Sequence, residues 1–392
     1  ATGLDVRING KMRLSFFPLG VSAKDIHVSN KGGEILSLEN LNLGAELMPL
    51  LKKQLKVTRC ALVKPVVTIV KDADGKYNFE SAEKKSTEER PGAALSLNEL
   101  KLSKGVLVYL DKKTGEKTEF KDFNLAIKDL SIAGDVIKNA SFTGSFDCKE
   151  VRKKDLKIDN VKSPIKAEKG VIYLMSLTMD IFGAKAEGDA TADKSAVDAV
   201  YKINLKISKL DFEKLQESFG TKKVIGGKGD LHASLTMKEK GSRKLMSGMD
   251  GTFSIRGDNL VIYTMDLDNI LSKYETSQKF NLVDLGAFFI AGPLGTIALK
   301  GYRYGDVYHQ TQGGQGTITQ FISQWNIRDG VADATDCALA TRHNRVALKG
   351  KLNLVSERYD NVIVALLDDK GCAKFKQGIR GSFDSPEVGA VS

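Results

Sequence analysis

The chain has 392 residues, of which 42% are hydrophobic and only 7% aromatic, and its formal net charge is +10. This apolar content is enough to build a core, so the composition excludes a mainly disordered chain. The length exceeds what one hydrophobic core usually serves, and it predicts two domains or one elongated repeat structure.

The excess of Lys and Arg over Asp and Glu has three explanations: solvated surfaces with lysines at sheet edges, binding to an anionic membrane surface, or binding to nucleic acid. The lysines are spread along the chain, and pairs such as Lys112 and Lys113 have no flanking aromatic residues that could stack on bases. The sequence also contains no nucleic-acid-binding motif. We therefore expect no nucleic-acid partner.

Runs of alternating polar and apolar residues dominate the first half of the chain. A period of two is typical of strands with one apolar face. The main predicted strands cover residues 5–9, 14–17, 36–43, 56–62, 66–71, 94–102, 106–111, 119–127, 140–147, 157–165, 170–180 and 185–192. Residues 80–94 carry dense charge and few aliphatic side chains, which predicts a mobile loop.

The clearest alternation lies in the second half of the chain. Its apolar members are Tyr201, Ile203, Leu205, Ile207, Leu231, Ala233, Leu235, Met237, Val362, Val364 and Leu366. Such rows need a cover, which a second sheet, a partner or lipid could supply. Two interpretations stay open on the pattern alone: the core of a closed β-sandwich, or the wall of an apolar groove.

Few helices are predicted, and all of them are short. The spacing of apolar residues predicts helices over residues 47–54, 211–218 and 266–276, the second with Asp211 as its N-cap. Residues 321–325 predict a single helical turn, and the apolar stretch 282–291 fits a helix or a strand equally well. We expect a mainly β protein, divided loosely into residues 1–220 and 221–392.

The residues that usually carry chemistry show no active-site pattern. The four histidines lack metal-ligand spacing, and neither a GxSxG elbow nor a GxxxxGK[ST] phosphate loop is present. We therefore expect a non-enzymatic protein with no catalytic residue, no metal and no cofactor.

The four cysteines are Cys60, Cys148, Cys337 and Cys372, and none has CxxC spacing. In an oxidising compartment we expect Cys337 and Cys372 to form a disulfide, which would close a loop of about 35 residues. The alternative is that all four are small buried residues.

No stretch of the sequence is apolar enough to span a membrane as a helix. The longest candidate, residues 282–299, is interrupted by Asp284, Pro293 and three glycines. No signal peptide is visible either, so the sequence is typical of the body of a longer protein.

Several motifs occur in a fixed order along the chain. The N-terminal ones are Thr2-Gly3, Asn9-Gly10, Phe16-Phe17-Pro18-Leu19-Gly20-Val21, Asp25-Ile26, Val28-Ser29-Asn30, Pro49-Leu50-Leu51, Ile69-Val70-Lys71-Asp72, Asp74-Gly75 and Asn78-Phe79. The later ones are Lys169-Gly170-Val171, Ile181-Phe182-Gly183-Ala184, Glu187-Gly188, Ile327-Arg328-Asp329-Gly330-Val331-Ala332, Gly371-Cys372 and Ile379-Arg380-Gly381-Ser382-Phe383. Together and in this order they resemble the AsmA family of bacterial envelope proteins, and the resemblance covers most of the chain.

The resemblance implies elongated, curled antiparallel sheets of the repeating β-groove type with a few short helices. It also implies a periplasmic protein of a Gram-negative bacterium, tethered to the inner membrane, that binds or transfers phospholipid and supports outer-membrane biogenesis. The eleven alternating residues above are then candidate lining residues of the lipid groove. The alternative, from another class, is a structural scaffold with a closed β core that assists outer-membrane assembly through protein partners.

The sequence departs from the family pattern at its start, because the inner-membrane helix with which family members usually begin is missing. We expect about 20 apolar residues upstream of Ala1 as this anchor. The first strands would then lie at the membrane surface, with Arg7, Lys11 and Arg13 facing anionic headgroups.

Overall fold

The computed structural model describes residues 4–17, 19–30, 33–51, 56–80, 95–132, 139–219, 223–239, 245–263, 266–277, 314–383 and 385–392. The predicted loop 80–94, beyond its first residue, and the apolar stretch 282–291 lie outside the described residues. The chain divides into two compact units. Unit 1 comprises Ala1–Ile181 and Asp189–Val197, and unit 2 comprises Phe182–Gly188 and Asp198–Ser392.

Unit 1 is built almost entirely of strands. Its elements are β1 (Asp5–Ile8), β2 (Met12–Phe16), β3 (Leu19–Asn30), β4 (Gly33–Ala45), α1 (Leu47–Leu51), β5 (Val57–Val63), β6 (Val66–Lys71), β7 (Leu95–Asp111), β8 (Glu116–Ile132), β9 (Ser141–Lys153), β10 (Leu156–Glu168) and β11 (Val171–Ile181). The residues of β12 (Ala184–Asp193) are shared between the two units.

The described residues of unit 2 form two helices in addition to strands. Its elements are β13 (Val200–Asp211), α2 (Phe212–Ser218), β14 (Ile225–Gly226), β15 (Lys228–Lys238), a 3₁₀ turn (Leu245–Gly248), β16 (Met249–Ile262), α3 (Leu267–Ser277), β17 (Gly316–Arg328), β18 (Val331–Ala340), β19 (Arg345–Asn353), β20 (Arg358–Leu367), β21 (Ala373–Ser382) and β22 (Pro386–Val388). The predicted mainly β fold with a few short helices is confirmed. The predicted boundary at 220–221 falls inside unit 2, between α2 and β14.

Neighbouring strands pair mostly as antiparallel meanders, from β7 to β11 in unit 1 and from β15 to β22 in unit 2. One exception was not predicted: β5 and β6 both run parallel to β7. Both strands pair with the same edge of β4, and Lys64 and Pro65 lie between them. Lys64 has a φ of 48° and proline lacks an N–H for the ladder, so the strand breaks there.

Many strands contain a residue in the left-handed conformation, and beside Asp129, Asn160 and Lys209 the ladder register shifts as in a β-bulge. Asp25, Asp129, Asn160, Lys209 and Asn259 all have φ between 53° and 59° inside their strands. Asp and Asn tolerate this conformation better than most residues, and each bulge bends its strand and increases the local twist. An apolar residue follows each of them, so the apolar row continues beyond the bend.

Two of the three predicted helices begin with an aspartate cap, of which only Asp211 was predicted. The Asp211 carboxylate accepts hydrogen bonds from the backbone N–H groups of Glu213 (2.9 Å) and Lys214 (3.2 Å) at the start of α2. Asp266 caps α3 in the same way through the N–H of Asn269 (3.1 Å).

The single turn predicted over residues 321–325 is wrong, because this segment lies within β17. Phe321, Ser323 and Trp325 are buried on one face of that strand, and the indole N–H of Trp325 donates to the Ser323 hydroxyl at 2.8 Å. A period-two row of buried side chains therefore overrode the local helical spacing. Among the described residues, no helix has the length and apolar character needed to cross a membrane.

Helix α3 is held to the turn between β18 and β19 by one carboxylate. Asp268 accepts hydrogen bonds from the Thr341 hydroxyl, from the Asn344 side-chain amide (2.8 Å) and from the His343 N–H (3.4 Å). Burial alone would raise the pKa of Asp268, but the hydrogen bonds from Thr341 and Asn344 outweigh burial and hold the pKa below its ordinary value.

Replacing Asp268 by alanine should therefore weaken the docking of α3. We expect the free energy of unfolding at pH 7 to fall by about 1.5–3 kcal/mol, the usual contribution of hydrogen bonds to a charged group. Because the pKa is lowered in the folded state, this stabilisation is complete above about pH 4 and is lost as the pH falls further. Urea titrations at several pH values measure the difference from wild type, with exposed Asp369→Ala as the control. Equal losses in the free energy of unfolding for Asp268→Ala and Asp369→Ala would contradict the role of Asp268 in docking α3.

Candidate functional site

An apolar face extends across the strands of unit 1. In β3, β4 and β5 it comprises buried Ala23, Ile26 and Leu38 with partly buried Leu36, Leu41 and Leu62. In β5, β7, β8 and β9 it comprises buried Leu97, Ile127 and Leu130 with partly buried Val57, Cys60, Leu100, Leu125, Ile132 and Phe142. Leu62 joins the two groups, since it lies opposite Leu41 on one side and Leu102 on the other. We call these residues the unit 1 apolar face.

Water reaches much of the unit 1 apolar face. Most of its members are partly buried, although they lie in the middle of a wide sheet. Each described strand of unit 1 makes its closest contacts with the strands to which it hydrogen-bonds. Within the described part of unit 1, these apolar side chains are therefore only partly shielded from water.

The face becomes more exposed toward the edge formed by β1 and β2. Ladder register places Val6 and Ile8 opposite Val28 and Ile26 of β3, and Leu14 opposite Val21. The apolar row thus continues onto the edge strands, where Leu14 is 74% exposed. Exposed apolar residues that lie in a continuous row are typical of a surface that binds a partner or lipid.

The candidate lining residues of β13 and β15 lie directly opposite each other. Their pairs are Tyr201 with Met237, Ile203 with Leu235, Leu205 with Ala233, and Ile207 with Leu231. The structure therefore brings all eight onto one face of two neighbouring strands. Ile207 and Leu231 are fully buried, and the other six are partly buried.

The third candidate row lies in the core of unit 2. Val362 and Val364 are 0% exposed and Leu366 is 1% exposed. They lie in one face with the buried residues of the neighbouring strands, among them Val346 and Leu348. This row is closed to water, unlike the open part of the β13–β15 pair.

Helices contribute to the cover of the apolar side of unit 2. The ring of Phe212, on α2, meets Phe321 of β17 edge-on with centroids 6.4 Å apart. Gly229 and Gly257 lie opposite each other beneath that ring, and a side chain at Gly229 would meet Phe212 at 2.7 Å. Two residues of α3, Leu267 and Leu271, are also fully buried. Bare backbone under an aromatic ring thus lets the helix pack closely on the sheet.

The chemistry of these faces is that of a nonpolar surface. Burial raises the pKa of the Cys60 and Cys148 thiols, and it raises the pKa of Cys337 to about 12. These three thiols are therefore protonated at neutral pH and are weak nucleophiles. Among the described residues, no group of His, Cys, Asp and Glu side chains is arranged to hold a metal ion.

The predicted disulfide between Cys337 and Cys372 is wrong. Cys337 lies in β18, while Cys372 lies in the turn between β20 and β21, so β19 separates them. Two strand spacings alone amount to about 10 Å, beyond the 7 Å that a disulfide can bridge between Cα atoms. Cys337 is also buried and Cys372 exposed, and both are free thiols. Sequence separation suggested neighbouring strands, but the meander inserts an additional strand.

The three basic residues expected at a membrane surface lie on the edge strands or between them. Arg7 of β1 pairs with Asp5 at 2.9 Å, and Lys11 directly precedes β2, which contains Arg13. Alternation along β2 places Arg13 on the face opposite Met12, Leu14 and Phe16. The structure therefore gives this edge one basic side and one apolar side.

Sequence reasoning did not identify the unit 1 apolar face as a candidate, although it predicted most of its strands. The bulges explain why, because each interrupts the period-two pattern in the middle of a strand. A usable signal is an Asp or Asn followed by an apolar residue inside an alternating run, as in Asp25-Ile26 and Asp129-Leu130.

The thiol assignments can be tested by alkylation without reductant. In the native protein we expect Cys372 to react rapidly with a maleimide, whereas buried Cys337 reacts slowly because its thiolate is scarce. In denaturant, still without reductant, both should be labelled, as peptide mass spectrometry can show. Cys372→Ser should abolish the rapid reaction. Unlabelled Cys337 and Cys372 in denaturant would instead demonstrate a disulfide.

Comparison with known proteins supports the family that the motifs indicate. The profile of the AsmA family matches residues 1–154 and 145–337. No curated protein sequence and no solved structure matches the chain. The family profile covers well over half of the 392 residues, and its matches contain both the unit 1 apolar face and the β13–β15 pair. The chain therefore belongs to the AsmA family, whose members are generally associated with the cell envelope.

Proposed function

We propose that the protein binds the acyl chains of phospholipids on the unit 1 apolar face and transfers lipid in support of outer-membrane biogenesis. The observation that carries the proposal is the continuous apolar row, accessible to water, that crosses β1 to β9 in register. Exposed apolar area of this extent is unfavourable in water, and an alkyl chain is its natural complement. The protein's role in this proposal is non-enzymatic.

The composition of the unit 1 apolar face suits an acyl chain that slides along it. Leucines dominate it, with isoleucine, valine and alanine around them. Burial of an alkyl chain contributes about 0.8 kcal/mol per CH₂ whatever its position along such a wall. A wall without directional hydrogen-bond partners holds the chain but offers no single position that would trap it. The open part of the β13–β15 pair offers a second surface of the same kind.

Membership of the AsmA family supports the periplasm as the compartment and the inner membrane as the site of attachment. An anchor of about 20 apolar residues would be long enough to provide this attachment. The edge strands β1 and β2 fit this location, since they combine exposed apolar residues with Arg7, Lys11 and Arg13. Each cation near an anionic surface contributes about 1 kcal/mol of attraction.

A structural role is the alternative for unit 2. The fully buried row of Val362, Val364 and Leu366 is typical of a closed core rather than of a lipid-accepting wall. In that case unit 2 would serve as a rigid scaffold for protein contacts in outer-membrane assembly, while unit 1 binds lipid.

Lipid binding can be tested with two substitutions on the unit 1 face. Leu125 belongs to the unit 1 apolar face, and Phe146 of β9 lies directly opposite it and continues the face by one strand; both are partly buried. We expect Leu125→Asp combined with Phe146→Asp to reduce bound lipid at least tenfold, because a carboxylate would have to be buried against the acyl chain. Native mass spectrometry of detergent-free protein, before and after incubation with phosphatidylethanolamine and phosphatidylglycerol liposomes, measures bound lipid.

Ser145→Asp is the matched control, since Ser145 adjoins Phe146 but is exposed on the opposite face. It should bind as much lipid as the wild type. All variants should keep the far-ultraviolet circular dichroism of the folded sheet, because the substituted positions remain accessible to water without lipid. Absence of lipid from the wild type, or equal binding by all variants, would contradict the proposal and favour the scaffold.

A further inference from the structure

The polar face of unit 1 contains a hollow of about 460 Å³ near the edge strands. Two rows of cross-strand partners form it, and ladder register aligns both rows across β2, β3, β4, β5 and β7. One row is Arg13, Ser22, Asn42, Ala61 and Lys101, and the other is Ser15, Gly20, Gly44, Arg59 and Glu99. We call this feature the basic hollow. It lies on the sheet side opposite the unit 1 apolar face.

Two paired glycines shape the floor of the basic hollow. Gly20 lies opposite Gly44, and a Cβ atom at Gly20 would meet the carbonyl oxygen of Leu43 at only 2.4 Å. The Arg59 side chain lies over Gly44, with its Nε 3.0 Å from where a Cβ atom would be. The bare backbone therefore leaves room for a ligand between Arg13 and Arg59, and it lets the guanidinium of Arg59 lie low against the sheet.

The hollow has an excess of positive charge. It contains Arg13, Arg59 and Lys101 against one carboxylate, Glu99, which pairs with Lys101 at 2.6 Å. Within the described residues, neither Arg13 nor Arg59 has a carboxylate at ion-pair distance. The hydroxyl groups of Ser15 and Ser22 add neutral donors. The charge of Arg59 also acts on Glu99, its ladder partner, from beyond ion-pair distance. Guanidinium groups with nearby hydroxyls are a donor set that binds a phosphate group.

Exposed apolar residues lie at the end of the sheet next to the hollow. Three residues before Gly20 comes Phe17, and three residues after Gly44 comes Leu47; because β3 and β4 are antiparallel, both lie beyond the same end. Phe17 is 95% exposed and Met48 is 69% exposed, and Phe16 and Leu47 are also exposed. We call Phe16, Phe17, Leu47 and Met48 the apolar tip.

The spacing between the tip and the hollow matches the layers of a membrane. Three residues span at most about 10 Å, and the distance is shorter here because Phe17 lies in the turn after β2 and Leu47 begins α1. Surface-bound apolar groups enter a bilayer by about 5–10 Å, to the boundary between headgroups and acyl chains. A tip inserted to that depth would place Arg13 and Arg59 at the level of the headgroup phosphates. The order of apolar tip and basic hollow along the strands is thus the order of layers that a bilayer presents.

We propose that the basic hollow binds the headgroup phosphate of an anionic phospholipid in a membrane surface into which the apolar tip inserts. This site goes beyond the proposed lipid binding, because it lies on the other face of the sheet and recognises phosphate instead of acyl chains. It would orient unit 1 with this end of the sheet toward the membrane. Arg13 and Arg59 hold the phosphate, and Phe17, Leu47 and Met48 anchor the edge.

The test is vesicle co-sedimentation of the full chain with phosphatidylcholine vesicles that contain a quarter phosphatidylglycerol, and with pure phosphatidylcholine vesicles. For Arg13→Gln combined with Arg59→Gln we expect about thirtyfold weaker binding to the anionic vesicles, since each cation near the surface contributes about 1 kcal/mol. Both arginines are exposed, so the variant should fold. For Phe17→Ser combined with Met48→Ser we expect weaker binding to both kinds of vesicle.

The matched control is Lys112→Gln combined with Lys113→Gln, which also removes two exposed positive charges. These lysines follow the far end of β7, more than ten residues from Lys101, or about 35 Å along the extended strand. We expect this variant to bind within twofold of the wild type. An equal loss in both charge variants would show general electrostatic attraction and overturn the site, as would no loss in either.

Free phosphate distinguishes a lipid site from a site for a soluble anion. Calorimetric titration with inorganic phosphate should show weak binding that Arg13→Gln and Arg59→Gln together abolish. Phosphate binding without any effect of these substitutions on vesicle binding would assign the hollow to a soluble anion and overturn the membrane role. Acyl-chain binding is separable, because the Leu125→Asp and Phe146→Asp variant should still bind vesicles, and the Arg13→Gln and Arg59→Gln variant should still take up lipid.

Discussion

The structure depends on keeping apolar side chains on one face of long strands while those strands bend. Strands of 13–17 residues, such as β7 and β8, accumulate twist, and a slip of one residue would turn every later side chain to the wrong face. Bulges at left-handed Asp, Asn and Lys residues absorb the bend, and the apolar row resumes at the next residue. Side chains on neighbouring strands accept hydrogen bonds from the N–H groups of such residues. The Lys209 N–H donates to the Asp230 carboxylate, and the Lys104 N–H donates to the Asn124 side-chain oxygen, both at 2.9 Å. The acceptors therefore stabilise the bend as well as the pairing.

The two units use the same alternation and reach different results. In unit 1 the apolar side chains of the described strands are mostly partly buried. In unit 2 the rows from β16 to β21 are buried, and Phe212 of α2 closes on Phe321 above a pair of glycines. The difference lies in the cover and not in the strands. A covered row stabilises the fold, whereas an uncovered row keeps free energy available for binding an apolar ligand.

The two faces of unit 1 offer different kinds of interaction. The apolar face interacts through burial, which has no direction and tolerates movement along the sheet. The polar face interacts through charge, and its arginines and hydroxyl groups demand a defined geometry. Many of its other charges are satisfied locally, as when Lys121 pairs with Glu150 at 3.0 Å and Lys153 pairs with Glu116 at the same distance. Arg13 and Arg59 differ from these pairs, because neither has a carboxylate at ion-pair distance among the described residues.

The sequence by itself determined the class of fold, most of the strands, the Asp211 cap and the family, because period-two alternation and capping are local properties. It also placed Tyr201, Ile203, Leu205, Ala233, Leu235 and Met237 in alternating rows that the ladder later brought together. Only the tertiary structure decided which rows are open, that β5 and β6 run parallel to β7, and that β19 separates Cys337 from Cys372. It alone brought Arg13 and Arg59, 46 residues apart, into neighbouring rows of one sheet face, with Arg59 over Gly44. These properties depend on strand order and on cover, which join residues far apart in the chain, and a local pattern carries no information about either.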